Sequence, residues 1–156
     1  MSAATLDREI GPSQRVLVES TTIIALHTTA DHTHPLARHL FGRIEDAADP
    51  LTGYYSAVSA TEVLVRPIRA GAAAHAYMHT FLTSFPNLHC LPTDFDVALQ
   101  AATIRASTGL KTPDAIIVAS ALLAGCEAVV TNDDAWAKRL APLFPAFRWI
   151  YLPKHV

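Results

Sequence analysis

The stretch VLVESTTIIAL (residues 16–26) contains the pattern that decides the fold. Its first three residues are all apolar, which predicts a short strand that is buried on both faces. The apolar run stops at a carboxylate, Glu19, and at three hydroxyl residues before the chain becomes apolar again. We therefore predict that a short helix, capped by Thr21 and Thr22, follows the strand and runs to Leu26.

Short apolar strands and helices alternate along the rest of the chain. Because the strands lack an alternation of polar and apolar residues, we predict an α/β domain, a three-layer α/β/α sandwich with a mostly parallel sheet of about five strands. In such sheets, ligands bind outside the carboxyl ends of the strands. The predicted strands cover residues 15–18, 54–58, 88–91, 127–131 and 147–152, and the predicted helices begin near Pro35, Ser59, Ala72, Asp94, Thr112 and Asp134.

Length and composition favour a single globular domain. The chain has 156 residues, of which 51% are hydrophobic and 17% charged, so disorder is expected only at the ends. We predict a flexible N-terminal arm over residues 1–14 and one domain over residues 15–156. The net charge of -2 argues against coating of nucleic acid by bulk positive charge, although a local basic patch stays possible.

Cysteine usage and hydropathy indicate the compartment. Cys90 and Cys126 fit neither a metal motif nor a disulfide framework, so we interpret both as buried free thiols in a reducing environment. The first 15 residues lack the apolar core of a signal peptide, and the longest apolar run, residues 115–126, is too short to span a bilayer. We therefore expect a cytoplasmic location and no membrane association.

Four carboxylates are expected near one edge of the predicted sheet. Glu19 ends the first strand, Glu62 lies in the first turn of the helix after the second strand, and Asp133 follows the fourth strand. Asp114 lies in the first turn of the helix that opens at Thr112 and joins the others if that helix starts at this edge. Carboxyl ends of parallel strands share an edge, so we predict that these side chains share a cleft.

Three of these acids also have purely structural interpretations. Glu62 follows Ser59 by three residues and fits a capping box, in which it only bonds the Ser59 amide. Asp114 favours a helix start by ~0.3–1 kcal/mol through the helix dipole. Asp133 fits an N-cap.

Glu19 is harder to explain structurally, because a carboxylate at the end of a buried strand is costly unless it is paired. Arg15 and Arg105 are the candidate partners for an ion pair. Four acids on one edge would also repel each other, and a divalent cation removes that conflict. Oxygen ligands without thiolates favour Mg²⁺ or Mn²⁺, ions that activate water for phosphodiester hydrolysis.

Four motifs in order resemble those of the PIN domain family and, within it, the VapC-type toxins. The third and fourth motifs, in tandem, are the most specific. The resemblance extends from about Arg15 to Pro153. The motifs are VLVESTTIIAL (16–26), SAVSATEVLVRPIRAG (56–71), GLKTPDAIIVASALLAG (109–125) and AVVTNDDAW (128–136).

The resemblance implies a metal-dependent endoribonuclease of a type II toxin–antitoxin pair. It implies Mg²⁺ or Mn²⁺ as cofactor, RNA as substrate, an antitoxin protein as partner, and a homodimer. The family's acidic site corresponds to Glu62, Asp114, Asp133 and the acid of the first strand, all four of which are expected to bind metal. Thr21 and Thr131 match the hydroxyl residues of the first and fourth motifs and are expected to orient water or an acid.

Glu19 departs from the family pattern, which ordinarily has Asp at this position. The extra methylene moves the carboxylate oxygens by ~1.5 Å, and misplacement of that order can cost ~100-fold in rate. The sequence thus leaves an alternative open, a catalytically weakened PIN domain that binds RNA or a partner protein without cutting. A third alternative, a dehalogenase-like phosphatase, needs a nucleophilic Asp at this position.

The basic residues nearest these motifs are candidates for RNA contact. Arg66 and Arg69 follow Glu62 by four and seven residues, on nearly the same helical face, and Lys111 precedes Asp114. Each could bind RNA phosphate, and each fits an ordinary solvated surface equally well. The histidines show no zinc-site spacing with a third ligand.

Overall fold

The computed structural model describes residues 3–156 of the chain. Within this range, five strands alternate with eight α-helices, and a 3-10 helix ends the fold. The strands are β1 (Arg15–Val18), β2 (Thr52–Ser56), β3 (Leu88–Leu91), β4 (Ala128–Thr131) and β5 (Arg148–Tyr151). The helices are α1 (Ala3–Ile10), α2 (Ser20–Leu26), α3 (His34–Glu45), α4 (Ala57–Ala70), α5 (Ala72–Ser84), α6 (Phe95–Thr108), α7 (Thr112–Leu123), α8 (Asp134–Leu140) and the 3-10 helix Leu152–His155.

The five strands form one parallel sheet in the order β3-β2-β1-β4-β5. Strand β1 lies at the centre, where Leu17 is in register with Tyr54 of β2 and Val129 of β4. The chain first builds the sheet to one side of β1 and then returns to build the other side. The carboxyl ends of β1 and β4 therefore flank the point at which the strand order reverses, which is where open α/β sheets bind ligands.

Helices cover both faces of the sheet, which confirms the predicted three-layer α/β/α class. The side chains of successive residues of β1 point into the two hydrophobic cores on opposite faces of the sheet, as expected for a pleated strand. Val16 and Val18 pack into the core that includes residues of α1 to α5, whereas Leu17 packs into the core that includes residues of α6 to α8. All three are fully buried, so the prediction of a strand buried on both faces is confirmed.

The N-terminal segment differs from the predicted flexible arm. Residues 3–10 form α1, whose Leu6 and Ile10 are fully buried, while residues 1 and 2 lie outside the described part. The two apolar side chains are four residues apart and share one helical face. That face packs against α3, β5 and the C-terminal 3-10 helix, where His155 Nε2 lies 2.5 Å from Glu9. The surface that α1 packs against comes mainly from the C-terminal end of the chain. The sequence of the N-terminal segment alone therefore gave no sign that its apolar residues are buried.

Two further details differ from the sequence prediction. Helix α4 begins at Ala57 rather than Ser59, because the Ser56 hydroxyl accepts the Val58 N–H and caps the helix earlier. Pro67 lies inside this helix, which continues to Ala70. Cys90 lies exposed on the edge strand β3, whereas Cys126 is a buried free thiol as predicted. Across residues 3–156, the structure contains no helix that is long and apolar enough to cross a bilayer.

Candidate active site

Glu19 lies at the switch point of the sheet, directly after β1. Its backbone N–H continues the ladder by donating to the Val130 carbonyl of β4 at 3.0 Å. The residue is only 5% exposed and is also the N-cap of α2. The sequence prediction placed Thr21 and Thr22 as caps, but the carboxylate itself takes this role.

Hydroxyl and amide groups, not a cation, surround the Glu19 carboxylate. Oε2 accepts hydrogen bonds from the Thr21 N–H at 3.0 Å, from the Thr21 hydroxyl, and from the Thr131 hydroxyl at 3.2 Å. Oε1 accepts a hydrogen bond from the Ser20 hydroxyl. These charge-assisted bonds, with the positive end of the α2 dipole, offset the loss of hydration on burial.

The two arginines proposed as ion-pair partners of Glu19 bind elsewhere. Arg15 donates to the Ala124 carbonyl at 2.6 Å and lies 4.7 Å over the Tyr54 ring. Arg105 Nε donates to the Leu110 carbonyl at 3.2 Å. The actual partners of the Glu19 carboxylate include Ser20 and Thr21. The run of hydroxyl residues directly after Glu19 was the signal in the sequence that could have identified them.

Thr21 and Thr131 connect Glu19 to the backbone after β4. The Thr21 hydroxyl accepts the Asn132 N–H at 3.1 Å and donates to Glu19. The Thr131 hydroxyl accepts the Asp133 N–H at 3.0 Å and also donates to Glu19. Two neighbouring backbone amides are thereby linked to the same carboxylate oxygen, so the loop after β4 is held against the start of α2.

Glu62 approaches the same place from α4. The Ser20 hydroxyl contacts Glu62 Oε2 as well as Glu19 Oε1. One hydroxyl has a single proton, so it cannot donate to both carboxylates at once. The capping box proposed for Ser59 and Glu62 is absent, because α4 starts two residues earlier. Glu62 therefore lies in the second turn of α4 rather than in the first, and it faces Ser20.

Asp133 caps α8 through a hydrogen bond from the Ala135 N–H to Oδ1 at 2.8 Å. The structural interpretation of this residue therefore holds for one of its oxygens. The bond also fixes the carboxylate at the carboxyl end of β4, close to the other acids. Asp133 can thus cap α8 and still belong to the acidic cluster.

Asp114 shows that the four acids lie together. Burial at the start of α7 raises the pKa of its carboxyl, and the charges of Glu19, Asp133 and Glu62 raise this pKa further. Lys111 acts in the opposite direction. The four predicted acids therefore lie close together at the edge where a shared cleft was predicted, and Asp114 is repelled by the three others. Helices α2, α4, α7 and α8 each contribute an acid in their first two turns or at their N-cap.

The three candidate RNA-binding residues are all exposed on the surface. Lys111 precedes α7, is exposed, and is close enough to Asp114 to affect its pKa. Arg66 and Arg69 are exposed on α4, and neither forms an ion pair with a described residue. Arg66 also lines a groove with α2 and α5.

The donor set of the cleft fits a hard divalent cation in its chemistry. All its ligand atoms are carboxylate or hydroxyl oxygens, which Mg²⁺ and Mn²⁺ prefer, and the mutual repulsion at Asp114 is of the kind that a cation removes. Among residues 3–156, however, no three His, Cys, Asp or Glu side chains converge into a group that could hold an ion by themselves. Mg²⁺ usually takes one or two carboxylates and completes its shell with water and phosphate.

A model of the PIN domain matches residues 16–141 of the chain. The chain belongs to the PIN domain family. This match covers the central sheet up to β4 and all four acids, and it confirms the resemblance seen in the motifs. No curated protein sequence is significantly similar to the chain.

Solved structures of toxins and toxin–antitoxin proteins share the fold of this chain. The structure of the Mycobacterium tuberculosis VapC20, a sarcin-ricin loop cleaving toxin, matches with a TM-score of 0.64 and 18% identity over 79% of this chain and 93% of that one. A toxin-antitoxin complex from Klebsiella pneumoniae matches with a TM-score of 0.61 and 22% identity over 81% and 90%. DNA-bound VapBC from Salmonella typhimurium matches with a TM-score of 0.61 and 18% identity over 86% and 96%.

Proposed function

We propose that this PIN domain is the toxin of a VapC-type toxin–antitoxin pair and acts in the cytoplasm as a metal-dependent endoribonuclease. The observation that carries the proposal is the gathering of Glu19, Glu62 and Asp133 around Asp114 at the switch point of a parallel sheet. Solved structures with the same fold include a toxin that cleaves the sarcin-ricin loop and several toxin–antitoxin complexes.

Asp114, Asp133, Glu62 and Glu19 would hold the Mg²⁺ or Mn²⁺ ion. Bound there, the ion would lower the pKa of a water and polarise the phosphate. Asp114 has the most to gain from the ion, because the other three acids repel it. Thr21 and Thr131 would keep the orientation of the Glu19 carboxylate, since they donate three hydrogen bonds to its Oε2.

Three cations around the cleft would hold the RNA backbone. Lys111 lies nearest to Asp114, and Arg66 and Arg69 extend the positive charge along α4. A phosphate bound by these side chains would bring the scissile bond to the acids without giving the protein a broad positive field, consistent with its net charge of -2.

An apolar groove beside the acids suits an antitoxin peptide. Its volume is about 580 Å³ and it lies between α2, the loop after it, α4 and α5. Arg66 lines the groove one turn after Glu62, so a bound segment would pass from the groove to the acidic cleft. The partner would be held by apolar contact together with Arg66 or Arg69. Lining residues include Ile24, His27, Val63, Pro67, Tyr77 and Met78.

A cleavage assay with three proteins tests the proposed chemistry. Wild type, Asp114→Asn and Glu19→Asp are incubated with one structured RNA in Mg²⁺, in Mn²⁺ or in a chelator. Asp114→Asn should abolish cleavage, because it removes a ligand charge. Glu19→Asp should cut faster than wild type, and Mn²⁺ should support more cleavage by wild type than Mg²⁺, which tolerates distorted geometry poorly.

The same assay separates the alternatives. If Asp114→Asn cuts as well as wild type, cleavage does not use this site. If none of the three proteins cuts with either ion, the protein acts by binding RNA or a partner. Co-expression with a small protein encoded next to it, where there is one, tests the toxin assignment, which requires a stable complex and relief of growth arrest.

A further inference from the structure

Asn132 joins three parts of the molecule at the edge of the acidic cleft. It lies between Thr131 and Asp133 in the loop that leads from β4 to α8. Its backbone N–H donates to the Thr21 hydroxyl, and its side-chain Nδ2 donates to the Thr33 hydroxyl at 3.2 Å. Thr33 is fully buried at the N-cap position of α3. The loop that carries Asp133 is therefore fastened to the starts of two helices.

The partners of Thr33 dictate the orientation of the Asn132 amide. The Thr33 hydroxyl donates its one proton to Asp31 Oδ1 at 2.7 Å, and the Thr33 N–H donates to the same oxygen at 2.8 Å. These bonds lower the pKa of Asp31, which stays a carboxylate and therefore an acceptor. The Thr33 hydroxyl can then only accept from Asn132, so Nδ2 and not Oδ1 must face it.

This orientation leaves the Asn132 carbonyl oxygen unsatisfied. Oδ1 is buried and has no hydrogen-bond partner in the described part of the chain. A buried acceptor without a donor is costly, and side chains that carry such a cost are concentrated at functional sites. A residue with only a packing role would gain from replacement by a small apolar side chain.

We infer that Asn132 is a positioning residue, which sets the place of Asp133 relative to Glu19 by fastening the β4–α8 loop to Thr33. The inference depends on the proposed function only for the reason why Asp133 must be positioned, which is metal binding. The route is contiguous, since Thr33 holds the Asn132 side chain, while the backbone of Asn132 and Asp133 reaches Glu19 through Thr21 and Thr131. Asn132 touches neither carboxylate through its own side chain.

Two variants break this link without changing any of the four acids of the cluster. Asn132→Ala removes the amide, and Thr33→Val removes the hydroxyl that it binds, together with the bond from that hydroxyl to Asp31. Tyr55→Phe is the matched control, because it deletes one buried hydrogen bond, from the Tyr55 hydroxyl to the Leu82 carbonyl at 2.7 Å, outside the acidic cluster. Three quantities are measured for each protein: the unfolding temperature, the Mn²⁺ dissociation constant by calorimetry, and amide hydrogen exchange at residues 131–135 without metal.

A positioning role predicts a specific combination of results. Asn132→Ala should weaken Mn²⁺ binding by about tenfold or more, as is usual when the groups that orient metal ligands are removed. It should also speed exchange of the Asp133 amide, yet leave the unfolding temperature close to that of wild type, because the unsatisfied carbonyl is removed too. Thr33→Val should weaken Mn²⁺ binding similarly, and the double variant should be no worse than either single one.

A purely structural role predicts the opposite combination. Asn132→Ala would then lower the unfolding temperature as Tyr55→Phe does and leave both the Mn²⁺ affinity and the Asp133 exchange unchanged, which overturns the inference. If wild type binds no Mn²⁺, the proposed metal site fails. Faster Asp133 exchange in Asn132→Ala would still support the positioning role in that case, and unchanged exchange would overturn it as well.

Discussion

A buried carboxylate at a strand end can be stabilised without an ion pair to a basic side chain. Glu19 is 5% exposed, yet the hydroxyls of Ser20, Thr21 and Thr131 and the backbone N–H of Thr21 surround its carboxylate. Among residues 3–156, no comparable set of donors surrounds Asp114, and burial together with the neighbouring acids raises its pKa. The two acids therefore differ, since hydrogen bonds stabilise the charge of Glu19, whereas the charge of Asp114 is repelled by the neighbouring acids.

Asp114→Asn should have opposite effects on stability with and without metal. In a chelator at neutral pH it should raise the free energy of unfolding, by roughly the 0.2–1 kcal/mol typical of partly exposed charge pairs, because it removes repulsion. With saturating Mn²⁺ it should lose the increase in unfolding temperature that the wild type shows, because the ion binds only the folded protein. Thermal unfolding of both proteins under both conditions provides the measurement.

The pH dependence of this effect follows from the raised pKa of Asp114. The folded protein holds this proton more firmly than the unfolded chain does, so ionisation destabilises the fold as pH rises above the ordinary pKa of Asp. Below that pKa, the carboxyl is neutral in both states. The advantage of Asp114→Asn in chelator should therefore disappear in acid. An advantage that grows in acid would contradict the assigned repulsion.

The two thiols should differ in reactivity. Burial raises the pKa of the Cys126 thiol to about 12, so its thiolate is scarce at pH 8, whereas Cys90 is exposed on β3. Iodoacetamide should modify Cys90 in the folded protein and reach Cys126 only after unfolding. Peptide mass spectrometry with and without denaturant identifies the modified residue. Rapid alkylation of Cys126 in the folded state would show that it is accessible.

At the scale of elements, helix starts converge on the acidic cleft. Helices α2, α7 and α8 each begin just after or beside a strand end of the sheet, and each places an acid at its N-cap or in its first turn. Their dipoles favour negative charge at this edge, which offsets part of the repulsion among the acids. Helix α4 contributes Glu62 from its second turn, because Ser56 caps it early.

Helix α1 should contribute substantially to stability. Leu6 is fully buried against elements from the C-terminal end of the chain, so Leu6→Ala should lower the free energy of unfolding by about 2–5 kcal/mol. Arg8→Ala, on the exposed face of the same helix, is the control and should change it little. Chemical denaturation of the three proteins measures the difference. If Leu6→Ala were as stable as wild type, α1 would not contribute to stability, and the prediction of a flexible N-terminal arm would stand.

At the scale of the whole molecule, some apolar surface remains uncovered. Phe95 and Leu99, four residues apart on α6, are 79% and 58% exposed, and Val65 and Ile68 on α4 are 43% and 56% exposed. Exposed apolar side chains in neighbouring turns of a helix are typical of protein interfaces. We propose them as contacts of the homodimer that the family resemblance implies.

Phe95→Asp should shift the protein from dimer to monomer. A charge in the centre of an apolar interface would be buried without a partner, which disfavours association by several kcal/mol. Light scattering after gel filtration should report about twice the chain mass of 16.8 kDa for wild type and the single-chain mass for the variant. Leu123→Asp, at an exposed leucine of α7, is the control and should remain dimeric. A monomeric wild type would remove the homodimer from the proposal.

Apart from α1, the order of strands and helices, the parallel sheet and the placement of Glu19 and Asp133 after strand ends were determined by the sequence alone. The reason is local, since apolar runs predict buried strands and the carboxyl ends of parallel strands must share an edge. The partners of those acids were decided by the tertiary structure. Thr131 reaches Glu19 across 112 positions, and His155 meets α1 across nearly the whole chain. Such contacts depend on which elements become neighbours in the fold, so neither the hydrogen bonding of Glu19 nor the burial of α1 was evident in the local sequence.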